Sequence, residues 1–234
     1  MKWQRVYRIY IWLWITFVML VVAKYGCRIF VGDWFPVNTT SMVPTIVPGD
    51  KIWVNKLIFG ARVYKNLSFL DGKPLKTFRV KGLRKIRRGD VVVFNAPIQA
   101  SGLDSIIFTI NYVFVKRCTG LPGDTVVVEG VRKYSGKVYV PQKNDTLYMD
   151  DPRIELYRTV VAYETKGIIP TDYHIFLNSY YFFCGDNAAN SHDSRDFGFV
   201  PEEFIIGVSK RVLFNNRDGW RQKFRGRRVV KQLK

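Results

Sequence analysis

The chain opens on one apolar run and then changes period. Residues 9–23 are 15 positions without a charge. Tyr7 before them and residues 25–31 after them extend the run to the roughly 20 residues a membrane-spanning helix needs. Arg8, Lys24 and Arg28 stand near its ends, where long basic side chains reach the headgroups. Trp3, Trp12, Trp14 and Trp34 suit the two interfaces. The pattern predicts an anchor over residues 9–28, with residues 1–8 in the cytoplasm and the long remainder translocated, because long domains cross largely regardless of charge. A leader cleaved after Val21-Val22-Ala23 is the competing reading. Beyond residue 30 the apolar positions alternate. Segments 51–55, 90–94, 111–118, 125–129, 137–140, 179–184 and 204–214 are short and rich in β-branched and aromatic residues. Pro48-Gly49-Asp50, Arg88-Gly89-Asp90, Leu121-Pro122-Gly123-Asp124 and Gly185-Asp186-Asn187 punctuate them as turns. No segment after the anchor sustains a 3.6-residue period. The prediction is a mainly β fold: an antiparallel sheet domain over residues 29–128 and 179–214, with the more polar residues 129–178 as an inserted β subdomain and residues 215–234 as a basic tail. Trp220 and Phe224 in that tail leave it either on a membrane surface or as a free end.

Of 234 residues, 47% are hydrophobic and 24% charged, both ordinary for a globular chain; the net charge of +18 is not. Residues 209–234 carry ten Lys and Arg against the single acid Asp218, and residues 79–88 hold Arg79, Lys81, Arg84, Lys85, Arg87 and Arg88. Such patches suit nucleic-acid phosphates or anionic lipid. No zinc-finger spacing, helix-turn-helix pattern or RNP-type aromatic signature is present, so the bilayer is the expected partner and nucleic acid is not. A solvated basic face is the plain alternative. Cys27, Cys118 and Cys184 have neither metal-ligand spacing nor a disulfide framework, so no metal and no cofactor are expected. Cys118 and Cys184 each end a predicted strand, as buried thiols or, in an oxidising compartment, as a bridge.

Candidate chemistry centres on Ser41, which opens Ser41-Met42-Val43-Pro44-Thr45, and on Lys116 in the strand-like run 112–117. Strand alternation places Phe114, Lys116 and Cys118 on one face and Val115 and Arg117 on the other. A serine hydroxyl needs an adjacent base at neutral pH. An apolar surround disfavours ammonium, and a fall of roughly 3 units from the ordinary lysine value of about 10.4 makes the amine such a base. The plain readings are a turn serine capping its own backbone and a surface lysine on an edge strand. Only His174 and His192 occur, so a histidine triad is poorly supplied, with His192 the rival base.

Four segments resemble, in order, the sequence boxes of bacterial type I signal peptidase. They are Ser41-Met-Val-Pro-Thr; Arg88-Gly-Asp-Val-Val-Val-Phe; Val115-Lys-Arg-Cys-Thr-Gly-Leu-Pro-Gly-Asp; and Gly185-Asp-Asn-Ala-Ala-Asn-Ser-His-Asp-Ser-Arg followed by Gly198-Phe-Val-Pro. They span residues 41–201, and the preceding anchor matches as well. The resemblance implies a single-pass protein of the bacterial cytoplasmic membrane with its catalytic domain on the extracytoplasmic side. Ser41 would be the nucleophile and Lys116 the general base. The Thr39 hydroxyl and the Ser41 backbone N–H would form the oxyanion hole, and Ser191 would orient the lysine. Arg117–Asp186 and Asp193–Arg195 would be supporting pairs, and Gly185 and Gly198 backbone requirements. An extended preprotein would add to the edge of a strand over residues 34–39, although Pro36 denies one backbone donor there. Phe35, Val37, Met42, Ile46 and Val115 would shape shallow pockets that select small residues at the first and third positions before the cut.

The chain departs from the family in two places. The Arg-Asp common inside the last box is Ala188-Ala189, which removes two charges and leaves the loop's rigidity open. Thr40 stands where Gly is frequent. Two other readings share the fold or the dyad: an inactive, membrane-tethered peptide-binding module, and a self-cleaving repressor-like protease. The latter are soluble and carry a DNA-binding domain, whereas residues 1–30 here are an apolar anchor.

Overall fold

The computed structural model describes residues 2–65, 77–99, 105–130, 132–215 and 231–232. Helix α1 (Lys2–Phe30) is one unbroken rod. Its stretch Val6–Phe30 is 25 residues long and contains an 18-residue window of mean hydropathy 1.9, none of which is buried against the rest of the chain. At 1.5 Å per residue that stretch is about 37 Å long, more than the ~30 Å of a bilayer's hydrocarbon. A helix apolar on every side has no core-facing stripe of its own and suits an apolar solvent. Its C-terminal end is tied to the β domain: Lys56 Nζ donates to the Arg28 carbonyl at 2.6 Å and Arg28 pairs with Asp33 at 2.9 Å.

The main sheet is antiparallel and contains β1 (Gly32–Pro36), β2 (Asp50–Asn55), β3 (Val91–Asn95), β4 (Val113–Gly120), β5 (Tyr180–Cys184), β6 (Val200–Pro201) and β7 (Ile205–Asn215). Their spatial order is β1-β2-β7-β3-β4-β5-β6. The period of two divides the buried side chains between its faces. Val92, Phe94, Cys118, Phe183 and Val208 form one core with Phe197 and Phe204; Ile52, Val54, Val91, Val93 and Val212 form another with Val37, Met42 and Ile46. Strand β5 meets β4 only from Arg117 onward, where Cys184 pairs Arg117 and Phe183 pairs Cys118. Residues 113–116 of β4 therefore face no partner on β5, and Lys116 sits at that opening.

Residues 126–176 build a third core around Tyr134, Tyr157, Val160, Val161 and Phe176, closed by Tyr180, Phe182 and Phe199 of the main domain. It holds two short hairpin pairings, Thr125–Val128 with Gly136–Tyr139 and Thr146–Tyr148 with Tyr173–Ile175.

Three expectations need correction. The strand expected over 34–39 is Gly32–Pro36. Past Pro36 the chain turns inward, with the Val37 amide donating to Asp50 O at 2.8 Å and Gly49 N donating to Val37 O at 2.7 Å. A helix, α2 (Ile154–Glu164), interrupts the region expected to be β only. Its buried Tyr157, Val160 and Val161 follow helical spacing, and it ends with Lys166 at φ 56° and the Gly167 amide returning to Ala162 O at 2.8 Å. A one-turn helix, α3 (Ser194–Phe197), follows the last box, capped reciprocally by Asp193 and Asp196. All three cysteines are free. In the tail, Lys231–Gln232 pairs with Arg211 and Val212 of β7; Trp220, Phe224 and the tail's other basic residues lie outside the described residues.

Candidate active site

Ser41 lies in the turn that follows β1, and its neighbours hold it there. Met42 and Ile46 are fully buried in the core beneath, and the turn closes through Val43 N to Thr40 O (3.1 Å) and Ile46 N to Met42 O (2.9 Å). Lys116 reaches it from β4: Lys116 Nζ donates to Ser41 Oγ at 2.6 Å, and both residues are buried. The Thr39 hydroxyl lies 3.3 Å from Ser41 Oγ, on the solvent side.

The lysine amine is only 4% exposed at the residue level and has no carboxylate within ion-pair distance among the described residues. Burial pushes its pKa down to about 8; Asp193 opposes the fall and Arg195 adds to it. The Phe114 ring, 5.2 Å from the amine, covers one side.

One residue along the strand the charge is treated in the opposite way. Arg117 grips Asp186 with two hydrogen bonds, Nε to Oδ1 at 2.7 Å and Nη2 to Oδ2 at 2.6 Å, and reaches Thr45 Oγ1 at 3.3 Å and Gly89 O at 2.9 Å. Burial raises the Asp186 carboxyl, but the bonds from Arg117 and Thr45 outweigh it and hold the group below its ordinary value. This pair clamps the Ser41 turn to the loop after β5. The same loop is tied directly by Asn187 N to Ser41 O (3.0 Å) and Asn187 Nδ2 to Thr40 O (3.2 Å).

Asp193 is the second anchor. Its side chain is fully buried and accepts from Arg195 Nη2 (2.6 Å) and Nε (2.8 Å), from Gly185 N (2.8 Å) and from Ser191 Oγ (2.6 Å). Burial alone would raise this carboxyl; Arg195, the Gly185 amide and Ser191 together bring it below its ordinary value. Ser191 thus donates to Asp193, and among the described residues no hydrogen bond joins it to Lys116. Gly185 must lack a side chain: a Cβ there would meet Ser191 Oγ at 2.2 Å and Ser41 O at 2.5 Å. Gly198 adopts φ +88°, and a Cβ there would strike the Tyr134 hydroxyl.

The expected pocket residues gather on one face. Val37, Met42 and Ile46 are buried, while Phe35 and Val115 pack half-buried against them. Met42 and Ile46 are fully buried, so of the five only Phe35 and Val115 carry appreciable exposed surface. Phe35 also lines a cleft with Val113, Ile206, Arg62 and Asn95. The histidines lie elsewhere. His174 is buried against Glu164 at 2.8 Å, and His192 is exposed with Nδ1 3.6 Å from Asp196. Among the described residues no His, Cys, Asp and Glu side chains converge as a metal site.

A turn that carries a serine, a buried amine in contact with its hydroxyl and two ion pairs bracing the loops around them are groups suited to acyl transfer. The sequence model of the family described as signal peptidase, peptidase S26, matches residues 9–214. The chain belongs to that family. It is similar to the signal peptidase I of Rickettsia typhi (strain ATCC VR-144 / Wilmington), 31% identical over 224 residues that cover 88% of this chain and 80% of that one. The corresponding proteins of Rickettsia prowazekii (strain Madrid E) and Rickettsia bellii (strain OSU 85-389) are 30% and 29% identical, over 88% of this chain and 80% and 74% of theirs.

Two contributors escaped the sequence reading. Thr45 touches both partners of the Arg117–Asp186 pair. Arg132, between the paired strands Thr125–Val128 and Gly136–Tyr139, donates to Ala188 O, Ser191 O and Asp196. Thr45 closes the first matched segment without its role being apparent there, and Arg132 has no local signature, since it lies 56 to 64 positions from its acceptors.

Proposed function

We propose that this peptidase is a membrane-anchored serine endopeptidase that removes N-terminal signal peptides from exported preproteins by a Ser41–Lys116 dyad. The observation that carries the reading is the 2.6 Å contact between Lys116 Nζ and Ser41 Oγ, made by an amine that burial brings to about 8. The neutral fraction of Lys116 takes the Ser41 proton as Oγ attacks the carbonyl carbon before the cut. The oxyanion that forms is held by the Ser41 backbone N–H and the Thr39 hydroxyl. The resulting ammonium returns its proton to the leaving nitrogen, the C–N bond breaks and the signal peptide remains as an ester on Ser41. Lys116 then takes a proton from water, the hydroxide attacks the ester, and the proton passes back to Ser41 Oγ as the acid leaves. An extended preprotein segment reaches Ser41 along the free edges of β1 and of residues 113–116 of β4. Small residues at the first and third positions before the cut suit this site, because the side chains of Val37, Met42 and Ile46 beneath it are already packed together and offer no deep recess.

The anchor is α1, and its orientation follows from a long C-terminal domain that is translocated, giving a single-pass protein of the bacterial cytoplasmic membrane with the β domain outside. Protease added to intact spheroplasts should digest the β domain; protection of that domain would reverse the topology. The inactive-module reading has only Ala188-Ala189 in its favour, and that turn is held by Arg132. The test is cleavage of a purified preprotein by the detergent-solubilised full chain beside Ser41→Ala. Wild type should cleave after a small residue, and the variant should lose on the order of 10⁴-fold or more in kcat. Equal turnover by both would end the dyad reading, and none by either would favour the inactive module.

A further inference from the structure

Arg132 lies outside the four matched segments, yet it makes four hydrogen bonds to the loop beside Lys116. Its guanidinium donates to Ala188 O at 2.8 Å, to Ser191 O at 3.3 Å and to the two Asp196 oxygens at 2.7 and 2.8 Å. The turn it grips, Ala188–Asn190, buries no side chain and has no side-chain cap. Ala188 and Ala189 offer methyl groups alone. From Arg132 the contacts run inward: Asp196 Oδ2 accepts the Asp193 amide at 3.1 Å, and Asp193 holds Ser191 Oγ at 2.6 Å and Gly185 N at 2.8 Å. Gly185 in turn lies against Ser41 O, with no room for a Cβ.

We propose that Arg132 is a positioning residue through which the inserted segment holds the Ala188–Asp196 loop closed over Ser41 and Lys116 and keeps water from the amine. The proposal rests on the peptidase reading above. Arginine suits the task because a planar fork with five donors can hold two carbonyls and a carboxylate at once, whereas lysine offers a point charge. The Arg132–Asp196 pair is about a quarter exposed on each side (27% and 24%), so its value lies in geometry more than in net stability.

The groups that face the Lys116 amine are Ser41, the Phe114 ring, Asp193, Arg195 and Cys184. Burial is the largest influence among them. A loosened loop admits water, the ammonium is better solvated and the amine climbs back toward its ordinary value. The acid limb of the rate profile then moves to higher pH.

The experiment compares pH profiles of kcat for wild type, Arg132→Gln, Arg132→Lys and the exposed control Arg153→Gln, all as solubilised full chains. Arg132→Gln should lower kcat about 10–100-fold, a cost typical of a slightly misplaced catalytic group, with KM within about two-fold. Its acid limb should rise by about 0.5–1 unit as the desolvation of the amine is relieved. Arg132→Lys should fall between it and wild type, and it carries the test if the glutamine variant does not fold. Arg153→Gln should match wild type. An unmoved acid limb in the folded Arg132 variants, or an equal shift in Arg153→Gln, overturns the brace. If the wild-type chain cleaves no preprotein, the peptidase reading fails separately. Hydrogen exchange at the amides of Gly185 and Asn187 then decides the brace: faster exchange in Arg132→Gln supports it, and unchanged exchange overturns it.

Discussion

Lys116 and Arg117 are neighbours on one strand, and the fold treats their charges in opposite ways. Arg117 is given a carboxylate, a carbonyl and a hydroxyl, and Asp186 is held ionised beside it. Lys116 is buried against the Phe114 ring with one hydroxyl and, among the described residues, no carboxylate in contact, and its amine is pushed down to about 8. The alternation of a β-strand makes this possible, because adjacent residues sample different environments only a few ångströms apart. A pair that satisfies its charges builds geometry; a group denied its partner becomes reactive. Asp193 joins the two regimes. It is fully paired with Arg195, yet near enough to Lys116 to moderate the amine's fall.

The comparison breaks most completely at Lys116 itself. Lys116→Arg keeps the charge but cannot yield a neutral base, so kcat should drop on the order of 10⁴-fold, as far as for Lys116→Ala. Near-normal turnover by either variant in a preprotein assay would remove the lysine from the mechanism. Lys116→Met should also be more resistant to urea at pH 7, by about 1–3 kcal/mol, because each unit of depressed pKa is about 1.4 kcal/mol held against the folded state. Below about 8 the folded protein must carry a buried ammonium. That penalty fades as the pH rises through this value, so the gain from methionine should shrink in alkaline buffer.

Thr39 is the next largest. Its hydroxyl stands 3.3 Å from Ser41 Oγ. Thr39→Val preserves the branched shape and deletes the donor, so kcat should fall about 10²–10³-fold with little change in KM, while Thr39→Ser should keep most of the rate. If valine is tolerated better than serine, the side chain acts through its bulk.

Arg117 should give the smallest loss. Arg117→Gln leaves Asp186 half-buried without its cation, so stability should drop by about 1–3 kcal/mol; the pair is partly exposed, which lowers the cost below that of a fully buried one. Since the clamp only positions the Ser41 turn, kcat should fall about ten-fold. The folded pKa of Asp186 is depressed. Its contribution is therefore present above the ordinary carboxylate range and lost as pH falls through the lowered value. Urea titrations at descending pH should show this acid-side loss in wild type and not in the variant.

The strands of this protein were legible because period two and Gly-Asp turns act locally. Asp50–Asn55, Val91–Asn95, Tyr180–Cys184 and Ile205–Asn215 lie within a residue or two of where alternation places them. Helix α2 was not, since a polar, turn-rich surround masks the spacing of Tyr157, Val160 and Val161. Ser41 and Lys116 could be named from their segments, but that they touch is a fact of the curled sheet. Ser191 too could be named from its segment, and its hydroxyl donates to Asp193. Arg132 shows the limit of reading motifs, because its three acceptors are remote in sequence.

The most direct test of the central claim is the pH dependence of kcat/KM for preprotein cleavage by the wild-type chain. If Lys116 works as the neutral base, the rate should rise with pH through a single ionisation near 8, and His192→Asn should leave that midpoint where it is. A rate independent of pH between 6 and 9, or a limb that disappears in His192→Asn, would contradict it.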